Sequence, residues 1–245
     1  MIENIRIVLL GTTHSGNIGA TARAMKTMGL RSLYLVAPKA EPCNDEARRR
    51  AAGADDVLEN AKVVPDLLQA LTGCGFVVGS SARPRSIEWP ALSPSAAARK
   101  LVAVAATAPV AVLFGPERNG LDNNDVEFCN ALVTIPANPE YSSLNLASAV
   151  QIMSYEIFGQ LKENPTVITT DPRLADPVQL RQLYQHLAAT LDELAFIKSR
   201  SSTKLLRKFV RLLHRARMHE DEVDMLRGVL TAIQAVARSS KSDNP

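Results

Sequence analysis

Three polar loops of this chain carry side chains that could do chemistry, and each follows a short apolar run. The first spans residues 11–23 and includes an amide and a guanidinium, Asn17 and Arg23, with Gly19 between them. An amide can fix a hydroxyl group, and a guanidinium can hold an anion. The spacing alone favours a plainer structure, a loop followed by an arginine on a helix surface. The pattern G-x-G-x-x-G is missing, so no dinucleotide site is indicated.

The second loop breaks the apolar run Val110–Phe114 with a Gly-Pro turn. Gly115 has no side chain, so its backbone could approach a ligand closely. Glu117 and Arg118 would either orient a substrate or form a solvated charge pair, and the residue types do not decide between these alternatives.

The third loop, residues 136–145, is held extended by two prolines and leads into a predicted helix that begins near Ser143 and runs to about Leu161. Serine at a helix start is first of all a cap. Capping occupies one serine and leaves Ser142, Ser143 and Asn145 partly unexplained. The backbone N–H groups of a first helical turn can also bind an anion.

The elements that position these loops alternate between apolar runs and helical stretches. The predicted strands are Ile5–Leu10, Leu33–Val36, Phe76–Val78, Val110–Phe114 and Leu132–Ile135, and the predicted helices are Ile18–Met28, Pro65–Leu71, Ser95–Ala105 and Asn123–Cys129. This order predicts an α/β fold whose mostly parallel sheet is buried on both faces. Ligands of such sheets bind at the carboxyl ends of the strands, where all three loops fall.

The final third of the chain differs in composition and charge. Residues 163–177 contain three prolines and two Asp-Pro steps, which predicts a linker between a domain over 1–162 and an all-helical domain over 178–245. Its predicted helices are Val178–Phe196, Thr203–Ala216 and Glu222–Ala237. Residues 1–164 hold 15 Lys or Arg and 16 Asp or Glu, a net charge of −1, whereas residues 165–245 hold 13 and 9, a net charge of +4. An anionic partner is therefore expected for the C-terminal domain.

The middle helix of that domain concentrates the positive charge. Four cations are spaced four, three and four residues apart and are predicted to share one face: Lys204, Lys208, Arg211 and Arg215. The predicted apolar face consists of Leu205, Phe209, Leu212, Leu213 and Ala216. A solvated face normally mixes charge signs, and this one does not, so RNA phosphates are the favoured partner.

Several classes of protein are excluded by composition. The chain has no apolar run of 18 residues, so we expect no membrane span. Its three cysteines are far apart, which fits a reducing, cytoplasmic compartment. The four histidines show no metal-ligand spacing, so no metal site is expected, and His186, His214 and His219 are predicted on helix surfaces.

The three loops together resemble the signature motifs of the SPOUT superfamily of RNA 2′-O-methyltransferases. The matching residues are Asn17, Gly19 and Arg23 in the first, Phe114, Gly115, Glu117, Gly120 and Leu121 in the second, and Ile135, Pro136, Ser143, Leu144, Asn145 and Leu146 in the third. Each motif is weak alone, but three in order are specific. The segments 23–30 and 138–146 resemble, more narrowly, members that methylate the ribose of cytidine or uridine at tRNA nucleotide 32. Gly11 and Pro116 depart from the residues common in those members.

The resemblance implies a deep trefoil knot, a homodimer and S-adenosylmethionine as cofactor. It implies that the cofactor is bound by Ser80, Ser81, Ala82, Gly115, Ile135, Ser142, Ser143 and Leu144. It places the catalytic group at Arg23, Asn17, Glu117, Ser143 and Asn145. Because a guanidinium rarely loses its proton, we expect Arg23 to clamp a phosphate, with Glu117 orienting it.

Three alternatives stay open from sequence. The chain could methylate another RNA, such as ribosomal RNA, or be a non-catalytic RNA-binding protein on the same fold. A nucleotide-dependent oxidoreductase is suggested only by the alternation of strands and helices.

Overall fold

A seven-stranded parallel sheet forms the centre of the first of two units, which span Met1–Thr170 and Asp171–Pro245. The structure is a computed structural model that describes residues 1–81, 89–163, 174–196, 202–216 and 218–242. The strands are β1 (Ile5–Leu10), β2 (Ser32–Val36), β3 (Lys62–Val64), β4 (Phe76–Ser80), β5 (Ala91–Leu92), β6 (Val110–Phe114) and β7 (Ala131–Val133). Their order across the sheet is β3-β2-β1-β6-β4-β7-β5. Every described strand pairing within this sheet is parallel, so the predicted α/β class is confirmed.

Helices cover both faces of this sheet. They are α1 (Ser15–Thr27), α2 (Asp45–Ala51), α3 (Asp55–Glu59), α4 (Leu67–Leu71), α5 (Pro94–Ala105), α6 (Asn123–Val126) and α7 (Leu146–Lys162). The apolar side chains of the central strands alternate between two apolar clusters. In β1, Ile7 and Leu9 belong to the cluster that includes α1, α5 and α7, whereas Val8 and Leu10 belong to the cluster on the opposite face.

The sequence predicted five strands, and the structure adds the edge strands β3 and β5. These strands contain only three and two residues, and β3 is largely exposed, so neither shows the apolar run that marks the central strands. The helices α2 and α3 were also not predicted. Gly29 follows the end of α1 with a left-handed φ of +73°, the conformation in which glycine commonly ends a helix.

The described residues of the second unit form three helices, α8 (Pro177–Glu193), α9 (Ser202–Ala216) and α10 (Glu220–Ser242). A capping box between Asp176 and Gln179 starts α8. Arg238 of α10 donates hydrogen bonds to both carboxylate oxygens of Glu193 at 2.6 and 3.3 Å. The predicted helical character of this part is confirmed. Most of the predicted linker, residues 164–173, lies outside the described residues.

The predicted apolar face of α9 is wrong in part. Leu212 is 52% exposed and Ala216 is exposed, whereas Val210 and His214 are buried. The inward face follows Val210 and His214, one turn apart, and the ring of Tyr184 lies 5.7 Å from that of His214. His214 is therefore not the surface residue that the sequence suggested. Lys204, Lys208 and Arg215 are exposed, and Arg211 is half-buried.

Candidate active site

The loops that carry the candidate residues follow four adjacent strands. β1, β6, β4 and β7 are neighbours in the sheet, and parallel strands place all of their carboxyl ends at one edge. Residues 11–17 follow β1, residues 115–121 follow β6, and residues 134–145 follow β7. Ser80 ends β4, and the Ser81 N–H continues the ladder by donating to the Val133 carbonyl at 3.0 Å. The sheet thus brings together segments that are far apart in sequence.

A chain of hydrogen bonds joins the three loops. Asn145 Nδ2 donates to Asn17 Oδ1 at 3.0 Å, and Asn17 Nδ2 donates to Glu117 Oε1 at 2.9 Å. Thr13 adds its hydroxyl, which donates to Glu117 Oε2 at 2.9 Å, and its backbone N–H. Each amide uses its oxygen on one neighbour and its nitrogen on the next, so the chain fixes the orientation of both asparagines. We call Thr13, Asn17, Glu117 and Asn145 the loop network.

Glu117 is the anionic end of the loop network. Partial burial acts to raise the pKa of its carboxyl group, but hydrogen bonds from Asn17 and Thr13 outweigh burial and hold the pKa below its ordinary value. The side chain therefore accepts hydrogen bonds as a carboxylate at neutral pH. Because a carboxylate of lowered pKa is a poor proton acceptor, Glu117 is suited to holding Asn17 in place and not to accepting a proton.

Asn145 also starts α7. Its Oδ1 accepts from the N–H groups of Ala147 at 3.0 Å and Ser148 at 3.4 Å, which is N-cap geometry. The sequence placed the helix start at Ser143 with a serine cap, and this was wrong because Asn145 provides the cap. Ser142, Ser143 and Leu144 consequently lie in the preceding loop, where they are exposed.

Two glycines near the site, Gly115 in a loop and Gly19 in α1, are needed for close packing of the chain on itself. A Cβ on Gly115 would lie 2.1 Å from the carbonyl carbon of Gly120, because residues 115–121 fold back sharply. The sequence suggested that the Gly115 backbone lets a ligand approach closely, and Gly115 also lines the cavity at this edge of the sheet. A Cβ on Gly19 would lie 2.0 Å from the Ala47 carbonyl oxygen, so this glycine lets α1 pack directly on α2.

A cavity of about 490 Å³ opens at this edge of the sheet. Its lining includes seven of the eight residues predicted to bind a cofactor: Ser80, Ser81, Gly115, Ile135, Ser142, Ser143 and Leu144. The eighth, Ala82, lies outside the described residues. Asn17, Glu117 and Asn145 line the same cavity. The volume falls in the range of small-molecule sites, and apolar side chains such as Phe114 and Leu121 alternate with polar ones along the wall.

Arg23 lies apart from this cavity. It is exposed on α1 and is absent from the lining. Glu117, which was expected to orient it, is bonded to Asn17 and Thr13 instead. Arg23 stands six residues after Asn17 on α1, a rotation of about 240° around the helix axis. The two side chains therefore project from different sides of α1.

Sequence reasoning gave no role to several residues of the site, among them Thr13, His14 and Tyr141. Thr13 donates to Glu117, and His14 and Tyr141 line the cavity. Thr13 and His14 stand just past the end of β1, a position that predicts proximity to a ligand in a parallel sheet. Tyr141 is 79% exposed, which is unusual for an aromatic side chain in a chain with only 4% aromatic residues.

Residues 4–155 match the model of the SpoU rRNA Methylase family, and residues 178–243 match that of the tRNA methyltransferase TrmJ C-terminal domain. The chain therefore belongs to the SpoU methylase family. The resemblance of the three loops to methyltransferase motifs is confirmed by this match.

One relative and two solved structures that resemble this chain are methyltransferases. The tRNA (cytidine/uridine-2′-O-)-methyltransferase TrmJ of Sodalis glossinidius is 48% identical over 237 residues, covering 96% of this chain and 92% of the relative. TrmJ from Z. mobilis ZM4 superposes with a TM-score of 0.80 at 33% identity, covering 94% of this chain and 98% of that one. An AdoMet-bound rRNA methyltransferase from Sinorhizobium meliloti gives a TM-score of 0.52 at 25% identity, covering 64% and 56%.

The described part of the chain has neither a membrane-spanning helix nor a cluster of metal-ligating side chains. None of their helices is long and apolar enough to cross a membrane. Within the same part of the chain, no three His, Cys, Asp or Glu side chains are grouped so that they could hold a metal ion.

Proposed function

We propose that this chain is an S-adenosylmethionine-dependent tRNA 2′-O-methyltransferase that acts on cytidine or uridine at nucleotide 32. The observation that carries the proposal is the loop network on the wall of the 490 Å³ cavity, in a chain that matches TrmJ proteins along almost its full length. The C-terminal match to a TrmJ domain favours tRNA over ribosomal RNA as the substrate.

The cavity fits the proposed cofactor. Phe114, Leu121 and Ile135 provide apolar surface for an adenine ring, and the Ser80–Ser81 and Ser142–Ser143 segments provide backbone and hydroxyl groups for its polar edge. When bound, S-adenosylmethionine supplies a methyl group on a sulfonium leaving group. The protein then has mainly to place the ribose 2′-hydroxyl in line with that methyl group.

The loop network would do this positioning. Asn17 and Asn145 are locked by their mutual hydrogen bond, so the face of each that is turned to the cavity is presented without rotational freedom. Ser143, exposed at the cavity wall, is placed to hold the ribose. We assign Glu117 to hold Asn17.

Arg23 is proposed to clamp a phosphate next to the target ribose and to stabilise charge on its oxygen. Its exposure on α1, away from the lining of the cavity, supports a site completed by a second copy of the chain. We therefore propose a homodimer. Family membership also supports a trefoil-knotted chain in residues 1–162, and tRNA as the substrate supports a cytoplasmic location.

The helical domain over residues 178–245 is proposed to bind tRNA, after a linker over 163–177. Lys204, Lys208 and Arg215 are exposed on α9, and Arg211 lies beside them half-buried. Such cations would contact phosphates regardless of base sequence.

The test is the mapping of ribose methylation in tRNA from cells that lack this protein. The purified full-length chain with S-adenosylmethionine should then restore the methyl group at nucleotide 32. Ribosomal RNA should stay unmodified in the same reaction. Tight tRNA binding without S-adenosylmethionine affinity would instead show a non-catalytic RNA-binding protein.

A further inference from the structure

Helix α2 lies beside the first turn of α1, next to the cavity. Asn44, the N-cap of α2, donates from Nδ2 to Ser15 Oγ at 3.0 Å. A Cβ built on Gly16 would lie 3.6 Å from Cγ of Arg50, so the aliphatic stem of this arginine packs over Gly16. The residues on either side of this contact, His14 and Asn17, line the cavity. The aliphatic stem of Arg50 therefore lies beside the cavity wall, although Arg50 belongs to none of the three loops.

Lys39 approaches the same loop from β2. The N–H groups of Lys39 and Ala40 both donate to the Thr12 carbonyl, at 2.9 and 3.1 Å. Ala37 takes a left-handed φ of +42° to turn the chain there, a conformation that is unfavourable for alanine. The next residue after Thr12 is Thr13 of the loop network, so the backbone of Lys39 is fixed close to the site.

The cations of this surface differ in how they are paired. Arg48 forms ion pairs with Glu59 at 2.9 Å and Asp55 at 3.6 Å. Lys39, Arg49 and Arg50 are exposed and form no hydrogen bond or ion pair through their side chains within the described parts of the chain. Cations in that state keep all their donors available for an anion. We call Lys39 and Arg50, the two of these cations that lie beside the cavity, the basic rim.

We propose that the basic rim binds backbone phosphates of the tRNA substrate beside the cavity. This inference rests on the proposed function, because it needs a nucleic acid at that edge of the sheet. According to this inference, the first unit contacts tRNA phosphates directly, in addition to the contacts expected from α9 in the second unit. Phosphate contacts fix the register of a nucleic acid without reading its sequence.

One carboxylate opposes these contacts. A Cβ built on Gly16 would lie 2.8 Å from Glu46 Oε1. The negative charge of Glu46 and the aliphatic stem of Arg50 therefore both lie beside Gly16. A negative charge at a binding surface repels an anionic ligand and so weakens its binding. Removal of the Glu46 charge should therefore strengthen tRNA binding, whereas removal of the Arg50 charge should weaken it.

The experiment measures the tRNA dissociation constant of the full-length chain as a function of salt for four variants. Arg50→Gln and Lys39→Gln should each raise the dissociation constant about 3- to 10-fold and lower the slope of its logarithm against the logarithm of salt concentration by about 0.7 to 0.9. Arg48→Gln makes the same charge change two residues from Arg50 and should leave both quantities as in wild type. Glu46→Gln should lower the dissociation constant.

The outcomes separate this inference from the proposed function. Wild-type methyl transfer to tRNA, combined with equal binding by Arg50→Gln, Lys39→Gln and Arg48→Gln, would overturn the basic rim alone. Failure of the wild-type chain to methylate tRNA would overturn the proposed function. S-adenosylmethionine affinity, measured on each variant, should stay at the wild-type value, because the basic rim does not line the cavity. A joint loss of cofactor affinity would show a structural role for these side chains and would overturn the inference.

Discussion

Asn145 and Asn17, 128 residues apart in the chain, are joined by a hydrogen bond of 3.0 Å from Nδ2 of the first to Oδ1 of the second. The bond connects the cap of α7 to the start of α1, and Asn17 continues it to Glu117. One asparagine side chain therefore serves both helix stability and the geometry of the proposed site. The two roles can be separated by substitution.

Asn145→Ala should lose both roles, with unfolding free energy lowered by about 1 kcal/mol from the missing cap. Asn145→Asp keeps an oxygen for the N–H groups of Ala147 and Ser148 but cannot donate to Asn17. We expect near-wild-type thermal unfolding for Asn145→Asp and methyl transfer reduced at least ~10-fold, a loss of about 1.4 kcal/mol. Equal activity of Asn145→Asp and wild type would show that the bond to Asn17 is dispensable.

Glu117 predicts a dependence of stability on acid pH. Its pKa is lowered in the folded state, so its contribution to stability is present above the unfolded-state value of about 4.3 and is lost as pH falls through the lower folded value. Glu117→Gln cannot titrate, so its unfolding free energy should change less than that of wild type below about pH 4.3. Chemical denaturation between neutral and acid pH measures this difference. If the unfolding free energy of Glu117→Gln and of wild type fell equally as pH is lowered, the lowered pKa of Glu117 would be contradicted.

Gly115→Ala should disturb the cavity from the backbone. Its new Cβ would collide with Gly120, 2.1 Å away, so residues 115–121 must move and S-adenosylmethionine affinity should fall. Gly159→Ala is the matched control, because nothing lies within 4 Å of a Cβ there. Gly159 lies inside α7, where alanine should stabilise the chain by roughly 0.5–1 kcal/mol. Calorimetric titration of cofactor into both variants decides the matter.

Arg23→Ala should keep cofactor binding, because Arg23 does not line the cavity. Methyl transfer should fall about 100-fold or more, the usual effect of removing one charge-stabilising donor. Arg31→Ala, another exposed arginine just past α1, should transfer methyl groups at the wild-type rate. Near-normal turnover of Arg23→Ala would remove this residue from the catalytic group.

Charge reversal on α9 should weaken tRNA binding without affecting the cofactor. Lys208→Glu and Arg215→Glu should each reduce the steepness of the salt dependence by about one phosphate contact, 0.7 to 0.9 in logarithmic slope. Arg238→Gln is the control, because this arginine is already paired with Glu193. A salt dependence that is the same in all three variants would exclude α9 as an RNA-binding helix.

The central strands could be predicted from sequence because each is a continuous apolar run. β1 and β6 are buried along nearly their whole length, and their apolar residues leave no doubt about strand character. The edge strands β3 and β5 and the short helix α2 carry no such pattern. α2 is polar except at Ala47 and Ala51, and it forms against Gly19 through tertiary packing.

The candidate site was predictable as a set of loops but not as a network of bonds. Spacing placed Asn17, Glu117 and Asn145 after three strands, and a parallel sheet brings such positions together. It could not show that Glu117 bonds Asn17 and Thr13 in preference to Arg23, because the choice depends on which side of α1 each residue occupies. The sequence also placed the start of α7 near Ser143, three residues before Leu146, because serine and asparagine are equally good caps.

The order of strands in the sheet has a consequence for synthesis of the chain. β1 pairs on one side with β2, which leaves the ribosome soon afterwards, but its other neighbour, β6, begins only at Val110. β4 reaches the sheet only through β6 and β7. A growing chain of about one hundred residues therefore holds an apolar strand with an open edge, which is the kind of surface that chaperones cover or that aggregates. Shortening the interval during which that edge is unpaired should raise the yield of folded protein.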